Sequence, residues 1–187
     1  THVLRAEEHL SNTVRQAMLY EAFNWPVPQF GHMSVVLGPD KQKLSKRHGA
    51  TSVNDYRVNG YVKEAMLNYI ALLGWSSPDG REVVPMPDMI KLFDVDRVHP
   101  SPAVFDHVKL KWMNSVYLRE MPHDKLWALL QPFLTQDGQH FEHATPAWID
   151  RALFALKTRF ETLVEAVPVF RTLSDSQFGF APEAAEV

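Results

Sequence analysis

The chain has 187 residues, no cysteine and a formal net charge of −3; 45% of its residues are hydrophobic, including five Trp and eleven Phe. The lack of Cys excludes disulfides and thiolate metal sites, and the weak negative charge excludes a protein that coats nucleic acid indiscriminately. No apolar stretch approaches the ~20 residues of a bilayer-spanning helix and no signal-like segment precedes Thr1, so one to three small domains in a cytoplasmic protein are expected.

In chain order, His2-Val3-Leu4 reads as the end of a strand. Ser11 or Asn12 is expected to cap a helix with Val14, Ala17, Met18 and Ala22 at helical spacing, stopped by Asn24-Trp25-Pro26. The apolar run Phe30 to Leu37 follows as a second strand. A crossover through one helix makes the two strands parallel, so their carboxyl ends share one edge, where open parallel sheets bind ligands. Arg5, Glu7, Glu8 and His9 leave the first strand at that edge. After the second comes Gly38-Pro39-Asp40, where glycine is expected to supply a left-handed turn residue, and then Lys43-Leu44-Ser45-Lys46-Arg47. Lys43 and Lys46, three apart, are suited to flank a polyphosphate; for an arbitrary sequence such a run is more often a solvated surface.

Beyond this loop the chain reads as helical. Ser52 caps a short helix through Tyr56 and Val58, and Gly60 separates it from a second with Val62, Ala65, Met66, Tyr69, Ile70 and Leu73 on its apolar face and Gly74 as a left-handed stop. Ser77-Pro78-Asp79-Gly80 is a turn, Pro87 starts a short helix, and Ser101-Pro102 is expected to cap another. Asp106 precedes a helix with Leu110, Met113, Tyr117 and Leu118 inside; Trp75, Phe105 and Trp112 read as packing residues. From Pro122, Leu126, Leu129, Leu130 and Phe133 share one face. Thr145-Pro146 opens a longer helix expected to carry Ile149, Leu153, Leu156, Phe160, Leu163 and Val164 inward, and the tail after Ser174 reads as small and polar. His140 and His143 have a metal-compatible spacing without a third ligand, so no metal site is assigned. Residues 41–63 hold six Lys or Arg against one acid, making this segment +5 and the remainder −8. A basic stripe on an acidic body suits docking of one folded RNA, and equally a solvated helical face.

Arg5-Ala6-Glu7-Glu8-His9-Leu10, Asn12-Thr13, Gln16, Tyr20, His32-Met33 and Lys43 to Gly49 together resemble the later catalytic half of bacterial glutamyl-tRNA synthetases. The likeness runs on through Tyr56, Gly60-Tyr61, Asn68-Tyr69, Leu73-Gly74-Trp75, Phe105-Asp106 and Trp112-Met113-Asn114 to about Arg119. Lys43 to Arg47 is this chain's form of the family's Lys-Met-Ser-Lys-Ser signature, with Leu44 and Arg47 as departures that keep both lysines. The family's His-Ile-Gly-His-like segment is absent and the chain starts at Thr1 without Met, so an internal piece of a longer enzyme, inactive alone, is expected.

The resemblance implies an α/β remnant of a Rossmann-type class I catalytic domain (residues 1–48), a helical stem-contact domain (49–121) and the first part of a helical anticodon-binding domain (122–187). It implies ATP and Mg2+ as cofactors, tRNA(Glu) and glutamate as partners, no membrane, and a monomer. Lys46 and Lys43 are expected to be catalytic on the phosphates, with Ser45, Glu8 (ribose) and the backbone of Val35 and Val36 (adenine) completing the ATP site. Arg5 is expected to meet a carboxylate of glutamate, and His9 to make a structural hydrogen bond. Arg47, Arg57, Lys63, Lys109, Lys111 and Arg119 are candidate tRNA contacts. A glutaminyl-tRNA synthetase, a glutamyl-queuosine tRNA(Asp) synthetase and a non-catalytic tRNA-binding module are the alternatives.

Overall fold

A computed structural model describes residues 1–45, 47, 49, 52–142 and 144–173. The chain divides into two compact units, one of Thr1–Thr51 with Leu67–Asp106, the other of Ser52–Met66 with His107–Val187.

In the first unit, β1 (His2–Ala6) and β2 (Gln29–Met33) pair in parallel, with Arg5 opposite His32 and Ala6 opposite Met33. The crossover between them is α1 (Leu10–Ala22). β2 ends four residues earlier than the apolar run suggests, because β1 gives way to a 3-10 turn at Glu7–His9 and offers no further ladder. Neither Ser11 nor Asn12 caps α1. The Leu10 N–H bonds the Glu7 carbonyl, so the 3-10 turn already satisfies the helix start. Thr13, Gln16, Ala17 and Tyr20 form the half-buried face of α1, whereas Val14 and Met18 are each 64% exposed. The helix is thus rotated from the apolar-face expectation, and the Thr13 hydroxyl, bonded to the sheet, marks its inward side.

Residues 36–44 form a hairpin. Gly38 N–H bonds the Gln42 carbonyl (2.7 Å), Lys41 N–H the Gly38 carbonyl (2.9 Å) and Leu44 N–H the Val36 carbonyl (2.9 Å). The left-handed residue is Lys41 (φ 59°), not Gly38. Asp40 Oδ1 accepts from Gln42 N–H at 2.9 Å and closes the turn from its side chain. Leu37 also bonds both Ala103 and Phe105 (each 2.8 Å), which makes residues 103–105 extended. Those backbone groups are therefore committed, and no helix starts at Ser101-Pro102.

Ala71 of α3 (Lys63–Leu72) and Leu92 of α4 (Met86–Leu92, with Pro87 in its first turn) pack against a core of Trp75, Val84 and Met89. Asn68, fully buried on α3, donates to the Glu82 carbonyl and accepts from Val84 N–H. The Ser77–Gly80 turn forms as expected, with Gly80 at φ 75°. Gly74 is not left-handed, and Ile70 is 47% exposed.

In the second unit, α2 (Val53–Val58) begins on a Ser52/Asp55 capping box. Gly60 (φ 82°) then turns the chain toward Val62, Ala65 and Met66, which are buried. α5 (His107–Glu120) buries Leu110, Met113 and Leu118, and Trp112 stands 40% exposed rather than packed. α6 (His123–Gln136) buries Leu126, Trp127, Leu130 and Leu134. The single long helix expected after Thr145 is two: α7 (Pro146–Leu156), capped by Thr145, and α8 (Leu163–Arg171), capped by Thr162. The Thr162 hydroxyl accepts from Glu165 N–H while the Glu165 carboxylate takes the Glu161 N–H, which makes a new helix start cheaper than continuation.

Candidate functional site

The residues that leave the carboxyl ends of β1 and β2 meet. Lys43 Nζ, on the far limb of the hairpin, lies 2.5 Å from Glu8 Oε2, on the 3-10 turn after β1. The Lys43 ammonium, hydrogen-bonded to it, holds the Glu8 carboxyl below its ordinary range, so Glu8 is ionised at neutral pH. His9 approaches both Glu8 (3.9 Å) and the Asn12 amide (3.4 Å).

Arg5 sits one strand position before the end of β1, half-buried. Its Nη2 donates to Thr13 Oγ1 (2.7 Å), and its guanidinium lies 5.3 Å from the centre of the Phe30 ring, within cation–π range. Its Nε–H is buried and has no hydrogen-bond partner among the described residues. A half-buried guanidinium held at Nη2 and at its face is a suitable partner for a carboxylate.

Val35 and Val36 are half-buried just past β2. The Val36 carbonyl is committed to the hairpin, accepting from Leu44 N–H at 2.9 Å. Ser45 is half-buried and engaged within the protein. Lys46 lies outside the described residues, as do His143 and the segment after Leu173.

The basic candidates separate. Arg47 is exposed and 3.9 Å from Asp40; Arg57, also exposed, donates to Asn54; Lys63 is exposed at the start of α3. Lys109 and Arg119 are half-buried on α5, and Lys109 is engaged within the protein. Lys111 is bonded to Glu165 (2.6 Å) and Glu161 (3.3 Å), and the Glu165 hydrogen bond raises its pKa. Its charge is therefore taken up in joining α5 to α8. Asn68 and Asn114 are structural keystones that sequence reading left without a role. A polar residue at a buried helical position would have pointed to both.

A parallel β-α-β unit whose carboxyl edge gathers a carboxylate, an ammonium and a guanidinium is the architecture of a nucleotide-binding catalytic domain. Residues 1–112 match the model of the family described as tRNA synthetases class I (E and Q), catalytic domain, and the chain belongs to that family. It is 48% identical over 186 residues to a glutamate--tRNA ligase of Bdellovibrio bacteriovorus, a match covering all of this chain and 38% of the relative. It is 46% identical over 185 residues to the glutamate--tRNA ligase of Aquifex aeolicus, covering 98% and 39%. The crystal structure of a glutamate tRNA ligase from Elizabethkingia meningosepticum, in complex with its amino acid, superposes with a TM-score of 0.83 at 31% identity, over all of this chain and 40% of that one. The chain thus spans about two-fifths of the length of these relatives.

Proposed function

We propose that this chain is the part of a cytoplasmic glutamate--tRNA ligase that holds the lysine-loop side of the ATP site, with residues 1–48 catalytic, 49–121 stem-contacting and 122–187 beginning the anticodon-binding region. The observation that carries the reading is the Lys43–Glu8 contact at the carboxyl edge of a parallel β-α-β unit, in a chain belonging to this family.

The reaction has two steps. The glutamate α-carboxylate attacks the α-phosphate of ATP and pyrophosphate leaves. The terminal ribose hydroxyl of tRNA(Glu) then attacks the glutamyl-adenylate, and AMP leaves. No covalent enzyme intermediate is needed, so alignment and charge stabilisation do the catalysis. Lys43 and Lys46 neutralise the phosphates, helped by Ser45, and a flexible ammonium stem suits oxygens that move during the transfer. Glu8 accepts from the ATP ribose, the Val35–Val36 backbone meets adenine, and Arg5 takes a carboxylate of glutamate. Mg2+ would be held largely by the oxygens of the triphosphate, whose charge it would help to neutralise. Exposed Arg47, Arg57 and Lys63 are the best placed of the basic residues to meet RNA phosphates.

Glutamate-dependent ATP/pyrophosphate exchange by the full-length enzyme tests the reading. Lys46→Ala lowers exchange by ~100-fold or more, the scale of losing a preorganised charge donor. Unchanged exchange would remove Lys46 from the mechanism.

A further inference from the structure

We propose that Thr13 and His32 are positioning residues for Arg5, fixing the plane and direction of its guanidinium for a substrate carboxylate. The inference rests on the assignment of Arg5 to glutamate and adds the two residues that would make this contact selective.

Three elements converge on one hydroxyl. Arg5 and His32 are opposite one another in the parallel register, so their side chains share a face of the sheet. Thr13, on α1, lies over both, with its Oγ1 2.7 Å from Arg5 Nη2 and 2.8 Å from His32 Nε2. The same oxygen donates to the His9 carbonyl at 3.2 Å.

A hydroxyl has one proton and two lone pairs. Arg5 can only donate, and the His9 carbonyl can only accept. Satisfying all three neighbours therefore requires His32 to donate from Nε2, and the imidazole fixes the direction of the Thr13 hydroxyl. With its proton committed to His9, the Thr13 oxygen turns a lone pair toward Arg5. Phe30, two residues before His32 on the same face, stacks with that imidazole (6.5 Å) and lies under the guanidinium (5.3 Å). The guanidinium is thus held by a hydrogen bond at Nη2 and by a ring at its face. Its Nε–H has no protein partner among the described residues. A planar fork held at one nitrogen and at its face is preorganised for a carboxylate.

The test is exchange by the full-length enzyme, with KM measured separately for glutamate and ATP. Thr13→Val and Thr13→Ala each raise the KM for glutamate on the order of 10–100-fold, the range for a lost hydrogen bond to a charged group. The KM for ATP stays within about threefold, and Thr13→Ser restores the glutamate KM. His32→Leu raises the glutamate KM, and His32→Gln, whose amide N–H still donates, recovers most of it. Alanine is the strongest helix former, so Thr13→Ala keeps the test open if the valine variant does not fold. Unchanged glutamate KM in the Thr13 and His32 variants, alongside a large rise in Arg5→Ala, overturns the positioning role and leaves the Arg5 assignment standing. Equal rises in both KM values overturn it as a general structural effect. An unchanged glutamate KM in Arg5→Ala removes the Arg5 assignment itself, and the positioning role with it.

Discussion

Replacing Asn114 by Ala cuts two hydrogen bonds that tie together three segments of the second unit. Its Oδ1 accepts from Val62 N–H at 2.8 Å, and its Nδ2 donates to the Glu161 carbonyl at 2.6 Å. Both Asn114 (0% exposed) and Val62 (4% exposed) are buried, so the orphaned Val62 N–H has no water to turn to, at a cost of roughly 1–3 kcal/mol. The Glu161 carbonyl is only partly buried and recovers a partner from solvent, so its loss adds about 1 kcal/mol. A total of roughly 2–4 kcal/mol follows, which shifts the urea midpoint downward with an unchanged slope, followed by intrinsic fluorescence. A loss under about 0.5 kcal/mol would show that neither bond holds the unit together. Asn114→Asp separates the two bonds, since it keeps the acceptor for Val62 but turns an oxygen on Glu161. Burial raises the pKa of this carboxyl in the folded state, so the variant regains stability as pH falls and loses it as pH rises through that value.

Gly60→Ala destabilises the same unit by roughly 2 kcal/mol or more, because a Cβ at φ 82° would stand 2.6 Å from the backbone nitrogens of Leu163 and Val164, and the Leu163 N–H bond to Gly60 must break; thermal unfolding reads this directly. Tyr69, whose pKa burial pushes up to about 12, contributes stability below pH about 10 that is lost as pH rises through about 12, and alkaline unfolding of Tyr69→Phe lacks that limb. Asp137, hydrogen-bonded by Arg171 at 2.5 and 2.8 Å, has its pKa lowered to about 2. Its contribution is present above pH about 4 and lost as pH falls toward 2, so Asp137→Asn flattens the acid limb of the stability curve.

Local signals carried a good part of this structure. The parallel β-α-β unit, the Ser52 cap, the Ser77–Gly80 turn and the proline start of α4 all follow from turn and cap chemistry confined to a few residues. The meeting of Glu8 with the lysine loop was legible because parallel strands place their carboxyl ends together. What failed was set by contacts distant in sequence. Leu37 claims residues 103–105 for an extended bridge, overriding a good cap at Ser101-Pro102. Thr13 turns α1 toward Arg5 and His32, so Val14 and Met18 face outward despite their helical spacing. Lys111 looks like a free cation in one dimension and is paired with Glu161 and Glu165 in three. The break between α7 and α8 was readable, since Thr162 with Glu165 has the spacing of a helix start, but the apolar period running across it was the louder signal.

The Lys43–Glu8 pair gives the site its own resident counter-anion. Both side chains are largely in water, 63% and 47% exposed, and such pairs contribute little to folding. Their effect falls on what can bind. In the proposed site, a ligand bearing both phosphates and a ribose hydroxyl would give each partner a new contact as the two part. Moderate salt, by screening the exposed pair, makes that parting easier.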